Sequence, residues 1–383
     1  PGAKGYADYR KMLDEQHERL DGITISTPDH MHAPVTLAAL ERGLAVYTQK
    51  PLTRTIHEAR TLTEAAAKAG VSTQMGNQSF SNDGIRVCRE WIEAGLIGVV
   101  SEVRLWTDRP SLSWMAGDRS QLPEAEPVRE GLDWDLWLNT APHTPYNKRL
   151  MPGSWRSWWR FGSGALGDIG CHMMGVPFYA LGLEVPSKIE AEGRRQTEVS
   201  VALQEKVVYH FDSSSQGSPI KMTWISGFRN CNSNGKFPEH MDTRLLPELP
   251  DEFQGDHQSL ASNGQFIIGD EGVIYIPQMH LGKRPKLLPE EKWNDVQDNL
   301  PEAEYPRFLP HHENFLQAIR GEIPQAASDF SCSADLAEIV QLGNLAIRSG
   351  EPIIWDAENE TCVGSPAATT LVRQEVAHPE FLP

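Results

Sequence analysis

The stretch GITISTPDHMHAPVTLAALERGLAVYTQKPL, from Gly22 to Leu52, decides the fold. GITIST (Gly22 to Thr27) is a short β-branched run of the kind that makes a buried strand, and Pro28 and Asp29 stop it. His30 to Arg42 reads as a helix, with Val35, Leu37, Ala38 and Leu40 apolar and Gly43 in a C-cap position. LAVYTQ (Leu44 to Gln49) is the next strand, ended by Pro51. Strand, helix and strand over about 30 residues predict a right-handed parallel βαβ unit.

Outward from this unit the alternation continues. Thr55 caps a helix over Ile56 to Ala69, which Gly70 terminates. VSTQMG (Val71 to Gly76) is a third strand, Gly84 to Ala94 a third helix, and VVSEVRLW (Val99 to Trp106) a fourth strand expected in the same open sheet. Past Trp106 the texture turns to Pro, Gly, Trp and charge, and Arg109 to Arg160 carries Trp114, Trp134, Trp137, Trp155, Trp158 and Trp159. A helix is expected over Asp168 to Leu181, then the short strands SKIEAEG, KVVYHFD, IKMTWIS, QFIIGD and GVIYIP, whose succession predicts an antiparallel sheet. His311 to Arg320 and Ala334 to Arg348 read as helices. The expected fold class is α/β: an incomplete Rossmann-type parallel sheet domain over 1–106, followed over 107–383 by an α+β domain with an open, largely antiparallel sheet. The helix near 334–348 is expected to pack back on the first domain.

Bulk composition narrows the function. Lys and Arg total 35 against 52 Asp and Glu among 383 residues, a formal charge of −17, so nucleic acid is not an expected partner. No apolar run approaches the roughly 18 to 20 residues of a membrane span. The five cysteines, Cys88, Cys171, Cys231, Cys332 and Cys362, are scattered without ligand spacing, which favours a reducing compartment and no metal. The chain opens on Pro1 and reads as truncated at its N-terminus, so cytoplasmic is the default location and export stays open.

Two constellations carry chemistry. In open parallel sheets ligands bind beyond the carboxyl ends of the strands, where Thr27, Pro28, Asp29, Gln49 and Lys50 all fall. Thr27, Pro28 and Asp29 read equally as helix caps, and His32, on the first turn, as a structural histidine. Lys50, at a strand end directly before proline, reads as a reaching cation. The second constellation is WRSWWRFGSGALGDIGCHMMG, Trp155 to Gly175. Gly162, Gly164 and Gly167 permit close backbone approach to a ligand, and Asp168 and His172, four apart, share a helical face. A carboxylate beside an imidazole suits proton transfer from a hydroxyl, though a capping Asp with an unrelated His has the same pattern. Trp155, Trp158 and Trp159 suit a sugar face and an inter-domain core equally well. The run His311, His312 and Glu313 reads as a helix start rather than a metal site, because adjacent side chains on a helix diverge by about 100°.

The run ending in QKP resembles the Glu-Lys-Pro signature of the glucose-fructose oxidoreductase, inositol dehydrogenase and MocA (Gfo/Idh/MocA) family. GALGDIGCH resembles that family's second signature, and LDWDLWLNTAPHTPYN resembles the linker of one branch. The resemblance implies an NAD or NADP cofactor. It implies that Lys50 bridges the nicotinamide ribose and a substrate hydroxyl, that Asp168 holds the substrate and that His172 is the general acid/base. Thr27, Pro28, His32, Gln49 and Asn77 would face the cofactor, and Trp155 and Arg156 would close over the nicotinamide. Gln49 stands where the family has Glu, removing one negative neighbour of Lys50. A GxGxxG pattern occurs only at Gly162 to Gly167, with no strand immediately before it. The implied reaction is oxidation of a sugar or cyclitol hydroxyl, or reduction of the ketone, by a homo-oligomer assembled through the C-terminal sheet. An NAD-dependent glycosidase or lyase of the same superfamily, and a non-catalytic sugar-binding protein, remain alternatives.

Overall fold

The computed structural model describes residues 2–110, 119–227, 245–278, 285–373 and 376. Trp114 and Cys231 lie outside the described residues. The first sheet has three parallel strands in the order β1 (Gly22–Ile25), β2 (Ala45–Gln49) and β3 (Thr73–Gly76). Its helices are α1 (Tyr9–Gln16), α2 (His32–Leu40) and α3 (Ile56–Ala69), while α4 (Asp83–Glu93) turns Ile85, Cys88, Trp91 and Ile92 into the main core. Leu13 of α1, Val35 and Leu40 of α2, and Ile25 and Val46 of the strands close one small core. α3 begins with a capping box, in which Thr55 Oγ1 accepts from the Glu58 amide at 3.2 Å and Glu58 Oε2 from the Thr55 amide at 2.9 Å. It ends at Gly70 with φ +64°, the left-handed conformation that glycine adopts without strain.

The fourth strand corrects the expectation. β4 (Val100–Thr107) does not extend the first sheet; it lies inside the second, antiparallel to β8 (Asn263–Gly269) and parallel to β7 (Ile220–Ser226). Burial gives the reason: Val103, Leu105 and Trp106 are at most 1% exposed, so both faces of this strand are covered, as a central strand requires. With β5 (Lys188–Arg194), β6 (Gln204–Phe211), β9 (Val273–Ile276), β10 (Lys286–Leu288), β11 (Ile353–Asp356) and β12 (Thr361–Cys362), the nine-stranded order is β10-β9-β8-β4-β7-β6-β5-β11-β12. All of its pairs are antiparallel except β4 with β7. One face, bearing Val207, Tyr209, Met222, Trp224 and Ile267, enters the main core.

The remaining helices are α5 (Trp134–Leu138), α6 (Cys171–Met173), α7 (Gly175–Leu181), α8 (Glu290–Val296), α9 (His311–Ile319), α10 (Phe330–Ser349) and α11 (Pro366–Thr370). The single helix expected over Asp168 to Leu181 is a composite. A π turn over Leu166–Gly170 leads into α6, and α7 follows after Met174. Glycine lets this segment sit close to α10: a Cβ on Gly170 would meet Val340 at 3.2 Å. Among the described residues four cysteines are free thiols: Cys88, Cys171 and Cys362 are buried and Cys332 is half-buried. Among the described residues no helix is long and apolar enough to cross a membrane.

α10 ties the two sheets together. Glu338, 2% exposed, accepts from Arg60 of α3 at 2.8 and 2.7 Å and from Trp355 Nε1 at 2.8 Å, while Gln341 Nε2 donates to the Thr53 carbonyl at 2.8 Å. Removing Arg60 would leave a buried carboxylate without its cation, which costs about 3 kcal/mol. Arg60→Ala is therefore expected to lower the unfolding free energy measured by urea titration by that amount, with Glu338→Gln milder than Arg60→Ala because a neutral amide needs no counter-charge.

Candidate active site

The carboxyl ends of β1 and β2 open into a crevice of about 490 Å³ lined by Ser26, Thr27, Pro28, Asp29, Gln49, Lys50, Trp137, Met151, Pro152, Trp155 and Arg156. Lys50 follows β2 directly, and its Nζ donates to Asp168 twice, at Oδ1 (2.7 Å) and at the main-chain carbonyl. An ammonium has three protons, so one remains for a ligand in the crevice. Arg156 Nε donates to the same Oδ1 at 3.1 Å, and its guanidinium carbon lies 4.2 Å from the Trp155 ring centroid. Asp168 thus gathers both cations from the π turn, a distortion of the α-helix that recurs at functional sites.

Two carboxyls flank Lys50 and titrate oppositely. Burial would push Asp168 up, but Lys50 and Arg156, by charge and hydrogen bond, hold it below its ordinary value. Asp29, 4% exposed, is pushed up to about 7, chiefly by burial and further by the charge of Asp168, against the pull of Lys50 and Arg156. Near neutrality the site therefore holds one ionised and one partly protonated carboxyl.

The other expected residues are placed as follows. Thr27, Pro28, Gln49, Trp155 and Arg156 line the crevice with Lys50. His32 does not: its ring nitrogens meet the Pro51 carbonyl at 2.7 Å and the Thr27 carbonyl at 2.9 Å, so it braces the two strand-end loops from behind. Asn77, 0% exposed, follows β3 without lining the crevice, and its amide nitrogen and oxygen have no partner. His172, 4% exposed, lies on α6 just past the π turn, and its carbonyl accepts from Ser79 Oγ at 3.4 Å. It is brought onto the same segment as Asp168, although it is not among the crevice-lining residues.

Trp158 and Trp159 are buried in packing, and Trp155 joins the aromatic cluster of Trp134, Tyr146 and Phe161 while also bordering the crevice. His311 spends both nitrogens on Ser81 Oγ (2.6 Å) and the Met75 carbonyl (2.8 Å), and His312 stacks on Tyr47. Ser26, Trp137, Met151 and Pro152 were not singled out from sequence. Asp29 stood at the strand end, where it was indistinguishable from a cap.

A Rossmann-type parallel sheet with a lysine–carboxylate–guanidinium cluster over its strand ends, joined to a large mixed sheet, is an arrangement suited to a nucleotide cofactor. Residues 1–77 match the oxidoreductase family's NAD-binding Rossmann fold, and 83–222 match its C-terminal alpha/beta domain. The chain belongs to the Gfo/Idh/MocA oxidoreductase family.

Among curated relatives, levoglucosan dehydrogenase of Pseudarthrobacter phenanthrenivorans is 25% identical over 181 residues, 46% of this chain and 36% of the relative. An uncharacterized oxidoreductase, YfiI, of Bacillus subtilis is 34% identical over 152 residues, 38% of each chain. The chain thus matches little more than a third of the length of these two. Among solved structures, the WlbA dehydrogenase from Bordetella pertussis in complex with NADH and UDP-GlcNAcA shares the fold at a TM-score of 0.58 and 13% identity, covering 93% of this chain and 84% of the other. An inositol dehydrogenase homolog from Azotobacter vinelandii, complexed with NADH and myo-inositol, gives 0.54 and 16%, covering 91% and 83%.

The crevice fits the nicotinamide end of NAD. Thr27 Oγ1 is buried at its edge without a partner, Lys50 has a proton to give, and Trp155 borders the space with an aromatic ring.

The raised Asp29 makes stability pH-dependent. Its folded-state value, about 7, lies above the ordinary 3.8, so the folded protein holds this proton more tightly and loses the associated stability as pH rises from about 4 through 7. Asp29→Asn is expected to raise the melting temperature relative to wild type at pH 8 and to change it little at pH 4, as thermal melts at the two pH values would show.

Proposed function

We propose that this chain is an NAD(P)-dependent oxidoreductase that oxidises a hydroxyl of a sugar or cyclitol, or reduces the corresponding ketone. The observation that carries the reading is Lys50, held on Asp168 with one proton left over and facing the crevice. Names borne by the relatives, levoglucosan dehydrogenase and scyllo-inositol 2-dehydrogenase (NAD(+)) among them, support the substrate class.

Thr27, Pro28, Gln49, Trp155 and Arg156 would hold the nicotinamide end of the cofactor, which when bound supplies the two-electron acceptor. Lys50 would donate a hydrogen bond through its remaining N–H to the substrate oxygen and stabilise negative charge as it develops there. Asp168 aims that ammonium, and Arg156 shares the carboxylate. His172, one short helical step beyond Asp168, would take the hydroxyl proton as the carbon is oxidised and return it on reduction.

Asp29 favours a second reading, redox-neutral elimination by a lyase or glycosidase. Such a reaction needs a further group able to exchange a proton near neutrality, and a carboxyl with a value of about 7 beside Lys50 has that property. A relative 25% identical over 114 residues is named 2,7-anhydro-N-acetylneuraminate hydratase.

With NAD or NADP and a panel of sugars and cyclitols, His172→Ala and Lys50→Met are each expected to lower kcat by about 100-fold or more. His172→Ala activity within a few fold of wild type would sink its role as acid/base. Reduced cofactor accumulating one-for-one with product supports net oxidation; product without reduced cofactor supports elimination.

A further inference from the structure

A second pocket, of about 450 Å³, opens beside the start of α3 and the end of α10 and shares no lining residue with the crevice. Four arginines line it, Arg54, Arg160, Arg348 and Arg373, in a chain whose formal charge is −17. Arg54 Nη1 donates to the Trp159 carbonyl, while its Nε is buried with no partner. Arg348 lies over the Trp159 ring, its guanidinium carbon 5.4 Å from the centroid. Arg160 uses Nη1 on the His143 carbonyl and on Thr144 Oγ1, leaving its other N–H groups.

Among the described residues, neither Arg54, Arg160 nor Arg348 forms an ion pair; Arg373 stands 3.7 Å from Glu360. Glu198 also lines the pocket and forms no ion pair with any of the four among the described residues. Arg348 is pushed down to about 10, first by burial and then by the charge of Arg54. Arg348 is exposed, which weakens the first effect, and Arg54 borders the same pocket. Arg54 has the charges of Glu58 and Asp29 near it and Arg373 has Glu360, whereas Arg160 and Arg348 have no ion pair among the described residues, so a bound dianion would offset the positive charge that remains. Guanidinium forks match the paired oxygens of a phosphoryl group.

We infer that this pocket binds a phosphate group, as inorganic phosphate or as a phosphomonoester, at a site separate from the active site. The volume lies within the range of small-molecule sites, about 300 to 1,000 Å³. Occupancy would brace Arg54, four residues after Lys50, against the Trp159 backbone, three residues after Arg156.

The test is isothermal titration of the full chain with inorganic phosphate at constant ionic strength, sodium chloride serving as the control. Saturable binding is expected in wild type and in Lys50→Met, and at least tenfold weaker in Arg348→Glu. Arg160→Gln and Arg348→Gln, which keep side-chain size, should each weaken it several-fold and cover the case in which the charge reversal misfolds. No binding beyond the chloride control would overturn the inference. So would affinity unchanged in the Arg160 and Arg348 variants, loss only in Lys50→Met, or acetate bound more tightly than phosphate. If phosphate binds, tighter binding of a phosphorylated sugar marks the phosphomonoester as the ligand, and equal or weaker binding marks the free ion. Failure of the oxidoreductase assay leaves this outcome unaffected, because neither arm uses NAD.

Discussion

The ion pair between Lys50 and Asp168 joins positions 118 residues apart, and the shape of the candidate active site depends on it. Lys50 leaves the end of β2; Asp168 stands on a π turn backed by α10. Their side chains are 15% and 14% exposed, so each charge is largely withdrawn from water and is tolerable only because the other is there. Arg156 joins the same oxygen and brings Trp155 with it, so one carboxylate organises the strand end, the π turn and the aromatic loop. The crevice is the space these three leave open.

Around that pair the protein uses burial to separate two chemically similar groups. Asp168 touches two cations and stays ionised; Asp29 is covered without direct contact of that kind and holds its proton to about pH 7. Burying a carboxyl without an ion pair is unfavourable, and such a group beside a crevice is better suited to proton exchange than to support. Glu205, fully buried on β6 with Trp224 Nε1 as a donor, is likewise raised to about 7, but it lies within the second sheet and lines neither described arginine pocket nor crevice.

Much of the first sheet was legible because its parts are consecutive in sequence. β1, α2, β2 and α3 each carry their own stop and cap signals, from Pro28 to Gly70, and the structure places them where those signals stand. β4 was misassigned for the opposite reason. Its apolar pattern suits any buried strand, and the strands that claim it, β7 and β8, begin more than 110 residues later. The segment from Asp168 to Leu181 has a continuous apolar pattern, yet it is divided into a π turn and two short helices. His32 and Asn77 were legible as polar residues near strand ends, but not as side chains turned inward. Met151 and Pro152 carry no chemical signal at all, and reach the crevice only through the path of the loop before Trp155.

By itself the sequence determined the class of the first domain, the order of its elements and the two short motifs that bear Lys50, Asp168 and His172, since strand periodicity, caps and glycine positions act over a few residues. Tertiary structure decided which sheet owns β4, that Asp168 faces Lys50 rather than capping a helix, and that Asp29 rather than His32 lines the crevice. It also gathered Arg54, Arg160 and Arg348 around one pocket from three distant segments. These are matters of burial and of charge at close range, and both depend on neighbours that only the folded chain supplies.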